Sequence, residues 1–311
     1  MRAENLEEAI EIVNATGYGL TSGLESLDER EQQIWKDRIR AGNLYINRPT
    51  TGAIVLRQPF GGMGLSAIGA GIKAGGPNYV QQFCRITSHQ APQTGEILKS
   101  SRMLSLTRRW ETMLENGFWE EQFGPEITPE LVLSLQAWRS ALYWQDREFG
   151  REHEYFHLRG QDNLFRYLPV DRFVVRLQEQ DKLSETLIRL GNGLIAGCRT
   201  ELSLPPDMAS PVLDFLQDRE GQLLLERVET TQESDEELAL RLGTIDRLRY
   251  STRERVPRQI MEAAASAGFH VSHRTPLAEG RLELLHCLRE QSISVDWHRY
   301  GNLGTRESEF V

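Results

Sequence analysis

Residue types able to handle a small molecule concentrate between Asn43 and Val80. Glycines at 52, 61, 62 and 64 surround Phe60 there, and Pro49, Pro59 and Pro77 punctuate short apolar runs. Glycine is dense where backbone takes positive φ or approaches another group closely, and Phe60 offers a large flat apolar surface, so this loop suits gripping a ligand. The same glycines also suit simple chain reversal between strands, and composition alone leaves both readings open. Elsewhere the candidates are weaker. Cys84, Cys198 and Cys287 are widely spaced without a C-x-x-C, and read as free thiols filling apolar space, with neither disulfide nor metal expected. His270 and His273 supply at most two ligands, and no carboxylate motif near them or near His298 completes a metal set. Gly69-x-Gly71-x-x-Ala74 matches the letters of a dinucleotide fingerprint, but Gly75-Gly76-Pro77 follows where a helix is required.

The elements that must carry this loop are legible by period. Asn5 with Glu8 forms a capping-box pattern, and Leu6, Ala9, Ile10 and Val13 recur at helical spacing, so residues 5–15 are predicted helical. Leu20–Leu24 reads as a strand, Asp28 with Glu31 opens a helix to Arg40, and Leu44–Asn47 reads as the next strand. Residues 91–160 read as a helical connector. Its aromatic positions, Trp110 and those between Leu131 and Trp144, fall at helical spacing and are assigned to core. Beyond residue 160 strands and helices alternate: strand in LFRYLPVDRFVVRL, helix 181–196, strand 199–204, helix 210–218, strand 222–228, helix 233–242, strand 245–250, helix 257–267, strand 268–272 and helix 279–290. Such alternation predicts a doubly wound, mostly parallel α/β sheet.

At 311 residues, with 39% hydrophobic and 26% charged side chains, the chain has the length and composition of two soluble domains. A net charge of −9 argues against a nucleic-acid partner, because phosphate binding is driven by Lys and Arg. The apolar runs are too short for a transmembrane segment and the N-terminus lacks a signal-peptide pattern, so a cytoplasmic setting is expected.

Four stretches carry a resemblance: ATGYGLTSGLES (15–26), AGNLYINRPTTGAIV (41–55), QPFGG (58–62) and KAGGPNYV (73–80). From Ala3 to about Phe83 the chain resembles the C-terminal portion of aldehyde dehydrogenases, and most closely the L-glutamate γ-semialdehyde (Δ1-pyrroline-5-carboxylate) dehydrogenases, including the module in bifunctional proline utilization A. The resemblance implies that Thr51, Gly52 and Ala53 anchor the substrate carboxylate through backbone N–H groups, and that Phe60 flanks its aliphatic chain. Those residue types fit the chemistry, since successive N–H donors at a glycine-containing bend make an anion nest. Arg48 and Arg57 lie nearby but read mainly as local structural pairs or surface charge. The run YVQQFCRIT (79–87) resembles the strand with which the family extends a partner subunit's sheet, implying a homo-oligomer. LIRLGNGLIAGCRTELSLPPDM resembles, more faintly, the family's cofactor-domain stretch, with Ser203 where a ribose-contacting lysine would stand; flanking segments resemble the non-catalytic C-terminal domain of longer proline utilization A proteins.

The expected organisation is therefore a partial aldehyde dehydrogenase catalytic domain with its oligomerisation strand over 1–90, a helical connector over 91–160, and a non-catalytic aldehyde-dehydrogenase-like, Rossmann-type domain over 161–311. The family's cysteine nucleophile, glutamate base and NAD-binding domain precede the matched region, so no catalytic or cofactor-binding residue is assigned here. NAD belongs to the intact enzyme, a missing N-terminal part is implied, and the chain alone is expected to be inactive. Glu121-Gln122-Phe123-Gly124-Pro125 echoes a ribose-contacting motif of the family in the wrong order, and reads as coincidence. Two alternatives stand beside this expectation: a free-standing assembly or regulatory module of a separate dehydrogenase, and a small oxidoreductase binding a nucleotide through residues 160–311.

Overall fold

Asn5 Oδ1 accepts from Glu8 N at 2.9 Å and opens α1 (Leu6–Asn14), which buries Ile10. The computed structural model describes residues 1–67, 69–87 and 90–297. After α1 come β1 (Tyr18–Gly19), β2 (Thr21–Leu24), α2 (Glu29–Arg38) with Asp28 as its cap, β3 (Asn43–Ile46) and β4 (Met63–Gly64). Three helices follow, α3 (Arg102–Glu115), α4 (Phe118–Phe123) and α5 (Ile127–Trp144), and then β5 (His153–Glu154) and β6 (Gln161–Pro169). The alternating part comprises β7 (Arg172–Arg176), α6 (Leu183–Ala196), β8 (Arg199–Leu204), α7 (Pro211–Gln217), α8 (Arg219–Leu225), β9 (Val228–Gln232), α9 (Asp235–Leu240), β10 (Arg247–Arg249), α10 (Arg258–Ala267), β11 (Val271–Ser272), α11 (Gly280–Glu283) and β12 (Leu288–Asp296).

These elements form two units, one of residues 1–85, 151–168 and 289–311, the other of 86–150 and 169–288. This division departs from the sequence-based blocks at two places. Residues 161–168 and 289–297 join the N-terminal segment, and the helices of 91–150 join the parallel sheet.

In the first unit the sheet order is β2-β3-β12-β6-β5. β3 runs parallel to β2 on one side and β12 on the other, with Ser292 opposite Asn43 and Ser294 opposite Tyr45. All of β3 is buried, as a central parallel strand must be. Trp35, Ile39, Leu44, Ile46, Ile293 and Val295 form its core with Ile10.

The second unit carries a sheet of order β11-β10-β7-β8-β9, parallel throughout. The chain winds outward from β7 through β8 and β9, then returns to β10 on the other side of β7. This is the expected doubly wound arrangement. Trp110, Trp119 and Trp138 are fully buried, with Trp110 and Trp138 centroids 5.2 Å apart and Phe215 within 5.6 Å of Trp110, so the tryptophans are core. Trp138 Nε1 donates to Leu187 O at 2.8 Å, and a Cβ on Gly191 would lie 1.9 Å from that nitrogen, so only glycine lets α5 lie against α6.

Four element readings need correction. The strand read in LFRYLPVDRFVVRL is two, β6 and β7, which belong to different sheets. Residues 79–87 are not a strand in the isolated chain: Val80–Phe83 form a 3-10 turn, because a strand requires ladder partners and none is paired with it. Residues 222–228 are mostly helix, since Asp218 caps α8 and its Gln-Leu-Leu-Leu run suits a helix; the strand follows at Val228–Gln232. The helix read over 279–290 is α-helical only to Glu283 and continues as a 3-10 turn over Leu284–His286, and the polar and β-branched run from Leu288 is β12.

Candidate functional site

The loop Thr51-Gly52-Ala53 is exposed and leaves β3 by way of Arg48. Gly52 sits at φ +123°, a region that favours glycine. A Cβ there would lie 3.2 Å from both Arg48 Nη2 and Gln58 Oε1. Arg48 Nη2 donates to Thr51 O at 3.4 Å. Among the described residues, no protein group accepts from the N–H groups of Thr51, Gly52 or Ala53. Their solvent-facing donors can therefore receive an anion without breaking an internal bond.

Gln58 closes the base of this loop. It is buried, pairs with Ile54 through N–H to O bonds of 2.8 and 3.2 Å, and places its side-chain amide 2.9 Å from Asn163 Oδ1 and from Ser294 Oγ. Turned by 180°, the same amide donates to Gly52 O at 2.5 Å and accepts from Arg48 Nη1 at 2.9 Å. Arg48 also bonds Ser294 Oγ and lies over the Tyr45 ring with Cζ 5.6 Å from the centroid. Arg57 pairs with Gln161. Both arginines are thus tied into the structure around the loop, as their sequence context suggested.

Phe60 is half-buried, and exchanges 2.9 Å backbone bonds with Ala74 in both directions. No other aromatic ring contacts it among the described residues. Asn43 holds the residues on either side of it: Nδ2 donates to Pro59 O at 3.0 Å and Oδ1 accepts from Gly61 N at 3.1 Å. Lys73, fully buried, donates from Nζ to the same Asn43 Oδ1 at 2.9 Å and to Gly61 O. Burial holds the Lys73 ammonium down to about 7, with the Glu290 carboxylate opposing that shift. β12 reaches this cluster as well. Glu290 Oε2 accepts from Lys73 N at 2.7 Å, its Oε1 accepts from Asn78 at 2.8 Å, and Ser292 Oγ donates to Pro59 O at 2.7 Å.

Asn43, Gln58, Lys73 and the polar face of β12 were absent from the sequence-based site. A usable signal existed. Glu290, Ser292 and Ser294 alternate with Ile293 and Val295, a period-two pattern with one polar and one apolar face.

In the second unit the chemistry gathers where β7 and β10 part, at the topological switch point of the sheet. Asp181 and Arg189, both fully buried, pair at 2.7 Å; Asp181 also accepts from Ser251 Oγ and Arg255 Nη1 at 2.6 Å and from Gln178 N at 3.0 Å. Burial opposes ionisation of Asp181, but the Arg189 charge and the Ser251 hydroxyl together hold its carboxyl below the usual range. Arg189 Nη1 donates to Arg176 O at 3.0 Å, capping the end of β7. Ser203 is buried, accepts from Arg176 Nη1 at 3.0 Å and donates to Glu233 Oε1 at 2.6 Å. Near the carboxyl ends of β7 and β8 these side chains are thus engaged in internal ion pairs and hydrogen bonds.

Cys198 and Cys287 are buried, with Cys198 Sγ 3.3 Å from Cys287 O, whereas Cys84 is exposed and is not the apolar filler the sequence suggested. His270 is held down to about 3, first by burial and then by Arg247, and His273 is lowered by burial. His298 lies outside the described residues.

Comparison with known proteins gives a family match for the first part of the chain. Residues 1–89 match the aldehyde dehydrogenase family. The chain carries an aldehyde dehydrogenase family domain. It is 33% identical over 207 residues to the bifunctional protein PutA of Klebsiella aerogenes, covering 66% of this chain and 14% of that protein. It is 44% identical over 79 residues to the 1-pyrroline-5-carboxylate dehydrogenase of Geobacillus sp. (strain WCH70), covering 25% of this chain and 15% of that enzyme. Its fold matches proline utilization A (PutA) from Corynebacterium freiburgense with TM-score 0.68 and 32% identity, over 96% of this chain and 25% of that one. This aldehyde dehydrogenase domain is thus homologous to PutA and to 1-pyrroline-5-carboxylate dehydrogenases, while the chain spans about a seventh of the two curated relatives. Among the described residues no helix is long and apolar enough to cross a membrane.

Proposed function

We propose that this chain supplies the substrate-carboxylate anchor and oligomer contacts of an NAD-dependent oxidation of L-glutamate γ-semialdehyde to glutamate, in proline catabolism and in the cytoplasm. The carrying observation is the set of undonated N–H groups at Thr51, Gly52 and Ala53, held by Arg48 and Gln58 beside the segment that bears Phe60. Homology to enzymes of that name supports the substrate. Gly52 and Ala53 receive the carboxylate oxygens, and Phe60 packs along the methylene chain, leaving the aldehyde directed at groups that lie outside this chain. Cys198 and Cys287 are buried, and burial pushes the Cys287 thiol well up, the opposite of an activated nucleophile. NAD supplies the hydride acceptor in the intact enzyme. The internal ion pairs near the carboxyl ends of β7 and β8 support a non-catalytic role for the second unit.

Purified chain incubated with the semialdehyde and NAD is expected to form no NADH, and steady NADH formation would overturn the division of labour. In the intact dehydrogenase, Gly52→Val is expected to raise KM for the semialdehyde about tenfold or more with a smaller change in kcat, because a β-branched side chain resists this φ and blocks the donors. An unchanged KM would remove the anchor.

A further inference from the structure

The Phe60 segment is held by more bonds than a surface loop needs. Asn43 bonds the carbonyl before Phe60 and the N–H after it, Lys73 bonds the Gly61 carbonyl, and Ala74 pairs with Phe60 itself. Asn43 and Lys73 are both buried, at 1% and 0% exposure, and a buried lysine is costly to keep unless its geometry is used. Backbone bonds, this pair and the Ser292 hydroxyl on Pro59 O hold the segment, and the Phe60 ring has no aromatic neighbour among the described residues. By contrast, the N–H groups at 51–53 are steered by Arg48 and Gln58. The two halves of the anchor thus have separate supports.

We propose that Asn43 and Lys73 are positioning residues that set the Phe60 wall, and so determine how strongly the aliphatic chain of the substrate is gripped, independently of the grip on its carboxylate. The inference rests on the anchor reading given above. It predicts selectivity by chain length: a ligand with a methylene chain, such as L-glutamate, depends on the pair, while a bare carboxylate such as acetate does not. The lowered proton affinity of Lys73 fits an amine held for its donor geometry in a dry site.

The test uses the whole 311-residue chain, isotopically labelled, with L-glutamate and acetate as probes and the amide shifts of Gly52 and Ala53 as readout. Lys73→Met and, separately, Asn43→Ala are expected to weaken glutamate about fivefold or more and to leave acetate within about twofold. Exchange of the Phe60 and Gly61 amides should quicken about tenfold in both variants, while Lys73→Met leaves the melting temperature unchanged or raises it, because the desolvated amine is gone. A purely structural role would instead lower the melting temperature and weaken both ligands together. Equal loss of both ligands, or unchanged exchange at Phe60 and Gly61, overturns the proposal while leaving the anchor in place. If neither ligand moves Gly52 or Ala53 in the unaltered chain, the anchor reading fails and this inference falls with it.

Discussion

Lys73 carries the sharpest pH consequence at the scale of single residues. Burial lowers its proton affinity from 10.5 to about 7, so between those values the unfolded chain binds a proton that the folded chain does not. The sign follows: the penalty of burying the ammonium is fully present below pH 7 and is relieved as pH rises toward 10.5. Thermal melts of the unaltered chain should therefore gain stability from pH 7 to 9 relative to Lys73→Met, and parallel curves for the two proteins would refute it. Residue types alone brought Gly52 and Phe60 to notice, because glycine density and an aromatic are visible in any sequence, whereas Ala53 came from the family resemblance. Asn43 and Lys73 were not visible as a pair, since thirty residues separate two polar side chains that meet only when β3 and the Phe60 segment come together.

Elements were legible where local chemistry and tertiary demand agree. Asn5, Asp28 and Ser210 each accept from a first-turn N–H of the helix they cap, so the helices that follow them start close to where their sequences say. Reading failed where partners decide. The stretch 79–87 has strand-forming residues but no neighbour to pair with, and the start of β12 reads as helix because the leucine-rich residues just before Leu288 are helical. The contact of α5 with α6 supplies a test at this scale. Gly191→Ala places a methyl within 1.9 Å of Trp138 Nε1, and overpacking of this kind is expected to cost about 2–3 kcal/mol. Denaturant unfolding followed by tryptophan fluorescence measures it; a loss below about 0.5 kcal/mol would show that α5 can shift freely.

Across the whole molecule, half-buried histidines and the Asp181 carboxylate act in one direction. His270 is held near 3 and His286, half-buried and 2.7 Å from Ser272 Oγ, is held well below its ordinary value, in each case first by burial. As pH falls from about 6.5 toward 3 the unfolded chain takes up protons that the fold refuses, and protonation of Asp181 removes its pairing with Arg189 and Arg255 over the lower part of that range. Circular dichroism melts should thus show stability falling steadily below pH 6.5, with His270→Gln flattening part of the slope; a flat profile down to pH 4 would contradict these assignments. Calorimetric titration with NAD is expected to give no heat of binding, since Asp181 is already paired with Arg189, and Ser203 with Arg176 and Glu233.

The first unit draws its sheet from three stretches far apart in sequence, and β12, the strand beside β3, is the last to be made. During synthesis β3 must wait through more than two hundred residues with one side of its backbone unsatisfied, while the second unit has everything it needs as soon as Leu288 clears the ribosome. The nascent polypeptide therefore passes through a long interval with an adhesive edge exposed, and any stop codon ahead of Ser292 would make that interval permanent.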